Sequence, residues 1–168
     1  MTPGGLQAAL ARVRLVVFDF DGVFTDNTVY VSQDGTESVR CWRGDGLGLA
    51  RVKEAGVETA VLSTETNPVV DARSRKLAIR CIQGCGDKLA ALKILVDELH
   101  VALSDVAFVG NDINDLACLS AVGLPIVVHD AHPDVLDAAA LRTSAPGGRG
   151  AVREVCDRIV AARRQVTM

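Results

Sequence analysis

Five short apolar runs, at Arg14 to Phe20, Val57 to Leu62, Arg80 to Ile82, Val106 to Val109 and Pro125 to Val128, alternate along the chain with segments of helical period. Strand-length runs separated by helical stretches build βαβ units, in which the strands pair in parallel and helices cover the sheet. Helices are expected over Asp45 to Ala55, Pro68 to Leu77, Asp87 to Leu99, Asp115 to Val122 and Ala151 to Arg164. Asp45 and Asn67 suit N-caps, Pro68 the first helical position and Gly56 a C-terminal stop. The expected fold is a doubly wound α/β sheet, mainly parallel.

One stretch departs from that rhythm. Thr28 to Ser32 and Glu37 to Trp42 are rich in Val, Tyr, Thr and Trp, and they flank Gln33-Asp34-Gly35-Thr36, whose Asp-Gly pair is a strong hairpin signal. A β-hairpin over about residues 28–42 should project after the first strand. Two strands alone are marginal in water, so the ribbon needs something to pack against, such as its counterpart in another subunit.

The 168 residues suit one domain, taken as residues 1–168, and 49% hydrophobic with 23% charged residues is enough to bury a core. With 18 Lys and Arg against 21 Asp and Glu, the formal charge of -3 advertises no nucleic acid or anionic lipid. No apolar run approaches the ~18–20 residues that span a bilayer, and Met1 to Arg14 lacks the pattern of a signal peptide. A cytoplasmic protein with no nucleic-acid or membrane partner is expected. Cys41, Cys81, Cys85, Cys118 and Cys156 match neither a disulfide framework nor a zinc site and read as reduced thiols.

Four strand ends carry the chemistry. The first runs Phe18-Asp19-Phe20-Asp21-Gly22-Val23-Phe24-Thr25-Asp26; side chains two apart on an extended chain face the same way, so Asp19 and Asp21 converge. Open α/β sheets bind ligands at this end of their strands, and two packed carboxylates need a cation, a shared proton or both. The second end places Ser63 after Thr59 to Leu62, as a donor to an oxyanion or as a helix cap. The third, Asp87-Lys88, opens a helix with a point charge able to neutralise a phosphoryl group, or simply with a solvated lysine. The fourth, Phe108-Val109-Gly110-Asn111-Asp112-Ile113-Asn114-Asp115, is dense in hard oxygen donors that suit Mg2+, and an Asn/Asp turn can equally cap the next helix. Their occurrence at successive strand ends favours the ligand-binding reading.

Through Asp19-x-Asp21-Gly22-Val23-x-Thr25, Ser63, Lys88 and Gly110-Asn111-x-x-x-Asp115, the chain resembles the haloacid dehalogenase superfamily of phosphotransferases, with all four motifs in order. That resemblance implies a Rossmann-like core, Mg2+ and a two-step phosphoryl transfer. Asp19 would be the nucleophile, Asp21 the acid and then the base, and Ser63 and Lys88 would hold phosphoryl oxygens. Asp19, the Asp21 carbonyl and the fourth motif would bind the metal. Most members carry Asp where this chain has Asn111, which removes a negative charge; Asn111 can ligate through its amide oxygen, or Asp112 can take over, while Asp115 would orient Lys88 or a metal-bound water.

No cap-sized insertion fits between these motifs. The chain is therefore similar to the capless subgroup that contains 3-deoxy-manno-octulosonate 8-phosphate phosphatases, 2-keto-3-deoxynononate 9-phosphate phosphatases and the C-terminal module of some sialic acid cytidylyltransferases. The resemblance implies a homotetramer whose hairpins associate and whose neighbouring subunits help close each site. Asp130-Ala131-His132-Pro133 and Gly147-Gly148-Arg149-Gly150 look like the subgroup's C-terminal signature; Arg149, on a mobile glycine loop, could clamp a substrate anion, and His132 reads as a structural turn. Glu65, Arg73 and Lys76 match the spacing of the nononate branch, and Arg73 and Lys76 share a helix face where two cations could meet a sugar-acid carboxylate. The expected activity is therefore hydrolysis of a nonulosonate 9-phosphate, with the octulosonate 8-phosphate as the alternative. A signalling receiver domain also unites Asp pairs, a hydroxyl and a Lys, but its phospho-acceptor sits on a later strand than its acidic pair. A catalytically weak assembly module is the other competing reading.

Overall fold

The computed structural model describes residues 1–166. Helix α1 (Pro3–Arg12) leads into strand β1 (Leu15–Phe18), followed by the short strands β2 (Tyr30–Val31) and β3 (Glu37–Ser38). Next come α2 (Asp45–Glu54), β4 (Glu58–Leu62), α3 (Val69–Leu77), β5 (Arg80–Ile82) and α4 (Lys88–Leu99). The chain continues through β6 (Val106–Gly110), α5 (Leu116–Ala121), β7 (Leu124–Val127), β8 (Leu141–Arg142) and α6 (Ala151–Val166).

Six strands form one sheet in the order β5-β4-β1-β6-β7-β8, and every pairing is parallel. Strands covered on both faces are apolar throughout, and β1 and β6 are buried at every position. This is the Rossmann-like α/β fold expected. From β1 the chain runs outward to β4 and β5, then crosses back to β6 and runs the other way to β7 and β8. The order thus reverses between β1 and β6, and ligands of such sheets sit in the crevice outside the carboxyl ends of strands at that reversal. On the helical layers, α6 packs against α1 and α2, and α4 against α5.

Between β1 and β4 lie only the hairpin and α2, so nothing of cap size intervenes. The hairpin ladder is shorter than its composition suggests: Tyr30 pairs with Ser38 and Val31 with Glu37, and an isolated antiparallel bridge joins Thr25 to Cys41 at its foot. Val29, Tyr30 and Val31 are 48%, 66% and 64% exposed, so no core packing extends the ladder.

Several other boundaries shift for local reasons. Gly44, not Asp45, holds the N-cap position of α2, with Asp45 in its first turn. Pro68 sits just ahead of α3, where Asn67 Oδ1 accepts from the Val69 N–H at 3.1 Å and caps the turn as expected. The start of the Gly147–Gly150 stretch is packed: Gly147 and Gly148 are buried, and the Gly148 N–H donates to the Val23 carbonyl at 3.0 Å. A Cβ on Gly147 would lie 1.9 Å from the Gly22 carbonyl oxygen, so only glycine permits this close backbone contact. His132 caps the turn before Asp134, the structural role expected of it. All five cysteines are free, and no helix among the described residues is long and apolar enough to cross a membrane.

Candidate active site

Chain direction in the parallel sheet brings four loops to one end. β1 delivers Asp19 and Asp21, β4 delivers Ser63, the first turn of α4 delivers Lys88, and β6 delivers the Asn111 turn. Asp19, Asp21, Ser63, Asn111 and Asp112 line one cavity of about 330 Å3.

A buried charge cluster forms its floor. Lys88 Nζ lies 2.8 Å from Asp19 Oδ1 and 2.8 Å from Asp115 Oδ1, and all three side chains are almost wholly excluded from solvent. Lys88 reaches there because Asp87 caps α4, its Oδ1 accepting from the Ala90 N–H at 3.0 Å. Asp115 is fixed by its second oxygen, which accepts from the Asn111 N–H at 2.9 Å. A Cβ on Gly110 would lie 2.5 Å from that oxygen. Burial works against the Lys88 ammonium, but Asp19 and then Asp115 outweigh it and hold its pKa above the ordinary lysine value. Burial, and next the charge of Asp115, raise the Asp19 carboxyl against the pull of Lys88. One cation between two buried carboxylates leaves excess negative charge, which a divalent ion would offset.

The Asn111 carboxamide places one terminal atom 3.2 Å from Asp19 Oδ2 and 3.0 Å from the Asp21 carbonyl oxygen. Both neighbours are acceptors. With nitrogen in that position the amide donates to them; with oxygen there, three hard oxygens converge and require a cation between them. Among the described residues no three His, Cys, Asp or Glu side chains gather as a metal cluster. The oxygen set here instead combines one carboxylate, one backbone carbonyl and one amide, which fits Mg2+ with several retained waters. Asp112 lines the rim, and its Oδ1 accepts from the Ile113 N–H at 2.7 Å to cap the following turn. Gly22, at φ +79°, admits Asn111: a Cβ there would come within 2.0 Å of the carboxamide.

Ser63 is buried, and its Oγ accepts from the Glu65 N–H at 3.0 Å, which leaves the hydroxyl proton free to donate into the cavity. Asp21 is half-buried; burial, then the proximity of Glu65, raise its carboxyl above the usual range. Thr25 Oγ1 accepts from the Gly22 and Asn27 N–H groups at 3.1 and 3.2 Å and holds the acidic loop closed.

Of the substrate residues expected, Glu65 lines a second cavity of about 300 Å3 that shares Asp21 and Asn27 with the first. Arg73 and Lys76 do share a face, but they line a third cavity of about 620 Å3 beyond Val39 and Val69, away from Asp19. Arg73 is tied there by a 3.2 Å bond from its guanidinium to the Trp42 carbonyl. Arg149 is exposed and lines none of the three. Glu37, which the sequence presents only as a hairpin residue, lines the second cavity beside Asp21. Asn27, at φ +61°, lies there too; its position after Asp26 in a turn is the sole sequence signal of either.

A family model for haloacid dehalogenase-like hydrolases matches residues 63–150. The chain is 36% identical over 157 residues to the 3-deoxy-D-manno-octulosonate 8-phosphate phosphatase of Escherichia coli K12, covering 93% of this chain and 84% of that protein. Among solved structures, that phosphatase from Moraxella catarrhalis, in complex with magnesium, phosphate and its KDO molecule, superposes with a TM-score of 0.93 at 32% identity, over 99% of this chain and 96% of that one. A putative hydrolase from Streptomyces avermitilis is 46% identical, with a TM-score of 0.87 over 89% of this chain and 86% of its own. The motif order, the buried floor and these likenesses agree, and the protein belongs to the haloacid dehalogenase-like hydrolases.

Proposed function

We propose that the protein is a Mg2+-dependent phosphatase of a 2-keto-3-deoxy sugar acid phosphate, acting through an aspartyl-phosphate. The observation that carries this reading is Lys88 held at 2.8 Å from Asp19, beside the Asn111 amide that faces Asp19 and the Asp21 carbonyl. Asp19 Oδ2, the Asp21 carbonyl oxygen and Asn111 Oδ1 would hold Mg2+, which supplies charge neutralisation on the phosphoryl group.

Asp19 is the nucleophile: its carboxylate attacks phosphorus while the ester oxygen leaves. Asp21, whose carboxyl burial and then Glu65 raise above the usual range, gives that oxygen its proton and then takes one from the water that hydrolyses the acyl phosphate. Lys88 and the Ser63 hydroxyl steady the phosphoryl oxygens. Asp115 positions Lys88.

The octulosonate 8-phosphate is the first candidate substrate, supported by relatives of that activity at 35% and 36% identity. A nonulosonate 9-phosphate is the second, supported by Glu65 with Arg73 and Lys76. In one chain those two cations serve a substrate that reaches past Val39 and Val69. Copies associating through the exposed hairpin as a homotetramer would close the cleft, and the apolar surface of Val29, Tyr30, Val31 and Trp42 supports such packing. Five free thiols fit the reducing cytoplasm.

Phosphate release with and without Mg2+, compared by kcat/KM across octulosonate 8-phosphate, nononate 9-phosphate and N-acetylneuraminate 9-phosphate, tests the proposal. Turnover of one or more supports the enzyme and ranks the substrates. A stable phosphorylated protein would mark a switch, and no reaction an assembly module.

A further inference from the structure

The first and second cavities share Asp21 and Asn27, the second and third share Val39 and Val69, and the charge alternates along them. At the reaction end lie Lys88 and the expected cation site. The middle, which shares Asp21 with that end, is lined by Asp21, Glu37 and Glu65. Past Val39 and Val69 the wall turns basic, with Arg43, Arg73 and Lys76. Lys88, shared by Asp19 and Asp115, also acts on Asp21, but among the described residues no ion pair reaches Glu37 or Glu65.

Glu37 and Glu65 differ in how they are occupied. Glu65 Oε1 is engaged by the Thr66 and Asn67 N–H groups at 2.6 and 2.9 Å. Glu37 Oε2 accepts from Asn67 Nδ2 at 3.0 Å, a bond that ties the hairpin to the loop after β4, and no hydrogen bond from the described residues reaches its Oε1. Asn67 itself is locked, because its Oδ1 accepts from the Val69 N–H at 3.1 Å. Glu37 therefore stands half-buried on a fixed partner, with one charged acceptor open to the cavity.

A carboxylate in that position repels an anion and welcomes a donor. We propose that Glu37 is a specificity residue that accepts hydrogen bonds from the hydroxyls of an uncharged polyol stretch and disfavours a substrate carboxylate lying close to the phosphate. This inference rests on the phosphatase reading above and adds to it the order of groups along the ligand: phosphate, then hydroxyls, then any second anion at the basic end.

The test compares two substrates on wild type and Glu37→Gln. Glutamine keeps an acceptor for Asn67, so the rim stays tied while the charge is removed. Octulosonate 8-phosphate carries hydroxyls between its phosphate and carboxylate; phosphoglycolate carries neither hydroxyls nor distance. Losing a charge-assisted hydrogen bond should lower the ratio of kcat/KM for the first over the second about tenfold, mainly through KM for the sugar acid. A ratio unchanged by the substitution, including an equal fall with both substrates, overturns the proposal. If the wild type instead prefers carboxylate-free polyol phosphates such as glucitol 6-phosphate, the sugar-acid reading fails by itself. The Glu37 proposal then stands or falls on whether Glu37→Gln lowers the ratio of glucitol 6-phosphate to ethyl phosphate.

Discussion

The floor of the cleft and the hairpin above it are built on opposite terms. On the floor, Asp19, Lys88 and Asp115 are buried, and each is held by at least two contacts from different loops. In the hairpin, two residue pairs form the ladder, and Val29, Tyr30 and Val31 are each about half exposed or more. The floor is preorganised, which is what charge stabilisation of a phosphoryl group demands. The outer half of the hairpin is exposed, while Val39 and Cys41 at its base pack on the core; if Glu37 acts as proposed, chemistry and choice of substrate can vary independently.

Four substitutions can break or sharpen that contrast. Asp19→Asn should remove the nucleophile and lower kcat by about four orders of magnitude or more, with the fold intact by circular dichroism; appreciable turnover would refute the covalent route. Asp115→Ala would leave Lys88 with Asp19 alone and orphan the buried Asn111 N–H, costing about 1–3 kcal/mol in urea unfolding. A loss below about 1 kcal/mol would show that the floor is less constrained than its geometry implies.

Asp45 probes the seam between the regions. It is buried in α2 just past the hairpin, its Oδ1 accepts from the Arg153 N–H of α6 at 3.1 Å, and Oδ2 has no hydrogen-bond partner among the described residues. Burial pushes its carboxyl up to about 7, with the Arg153 N–H, Arg73 and the Arg153 side chain pulling the other way. A raised carboxyl pKa means that the folded state binds more protons than the unfolded one between about pH 4 and 7, so this contribution to stability is lost as pH rises through that window. Asp45→Asn should remove up to about 1.4 kcal/mol per pH unit of that slope; identical slopes in the two proteins would count against it. The smallest effect is expected from Tyr30→Glu, a change in exposed surface that should alter monomer stability by less than about 1 kcal/mol yet lower the assembled mass in sedimentation. An unchanged mass would argue against hairpin-mediated association.

The sheet and the four polar strand ends were legible because buried parallel strands leave continuous apolar runs and their ligand loops follow directly. Helix α1 was not, although Thr2 before Pro3 carries its signal: Thr2 Oγ1 accepts from the Gly5 N–H, and proline occupies the first turn. Strand β8 has two residues and no pattern to read. The hairpin's composition overstated its ladder because β-propensity without a covering layer does not extend pairing. Glu37 and the separation of Arg73 from Asp19 depend on how distant segments pack, which spacing along a helix does not encode.

The glycine contact between residues 147–148 and the first catalytic turn has a consequence for biosynthesis. Gly22 to Thr25 lean on backbone made more than a hundred residues later. A nascent chain can lay down β1 early, yet the turn bearing Asp21 acquires its final support only after the segment leading into α6 has left the ribosome. Competence for catalysis thus waits on the backbone around Gly147 and Gly148.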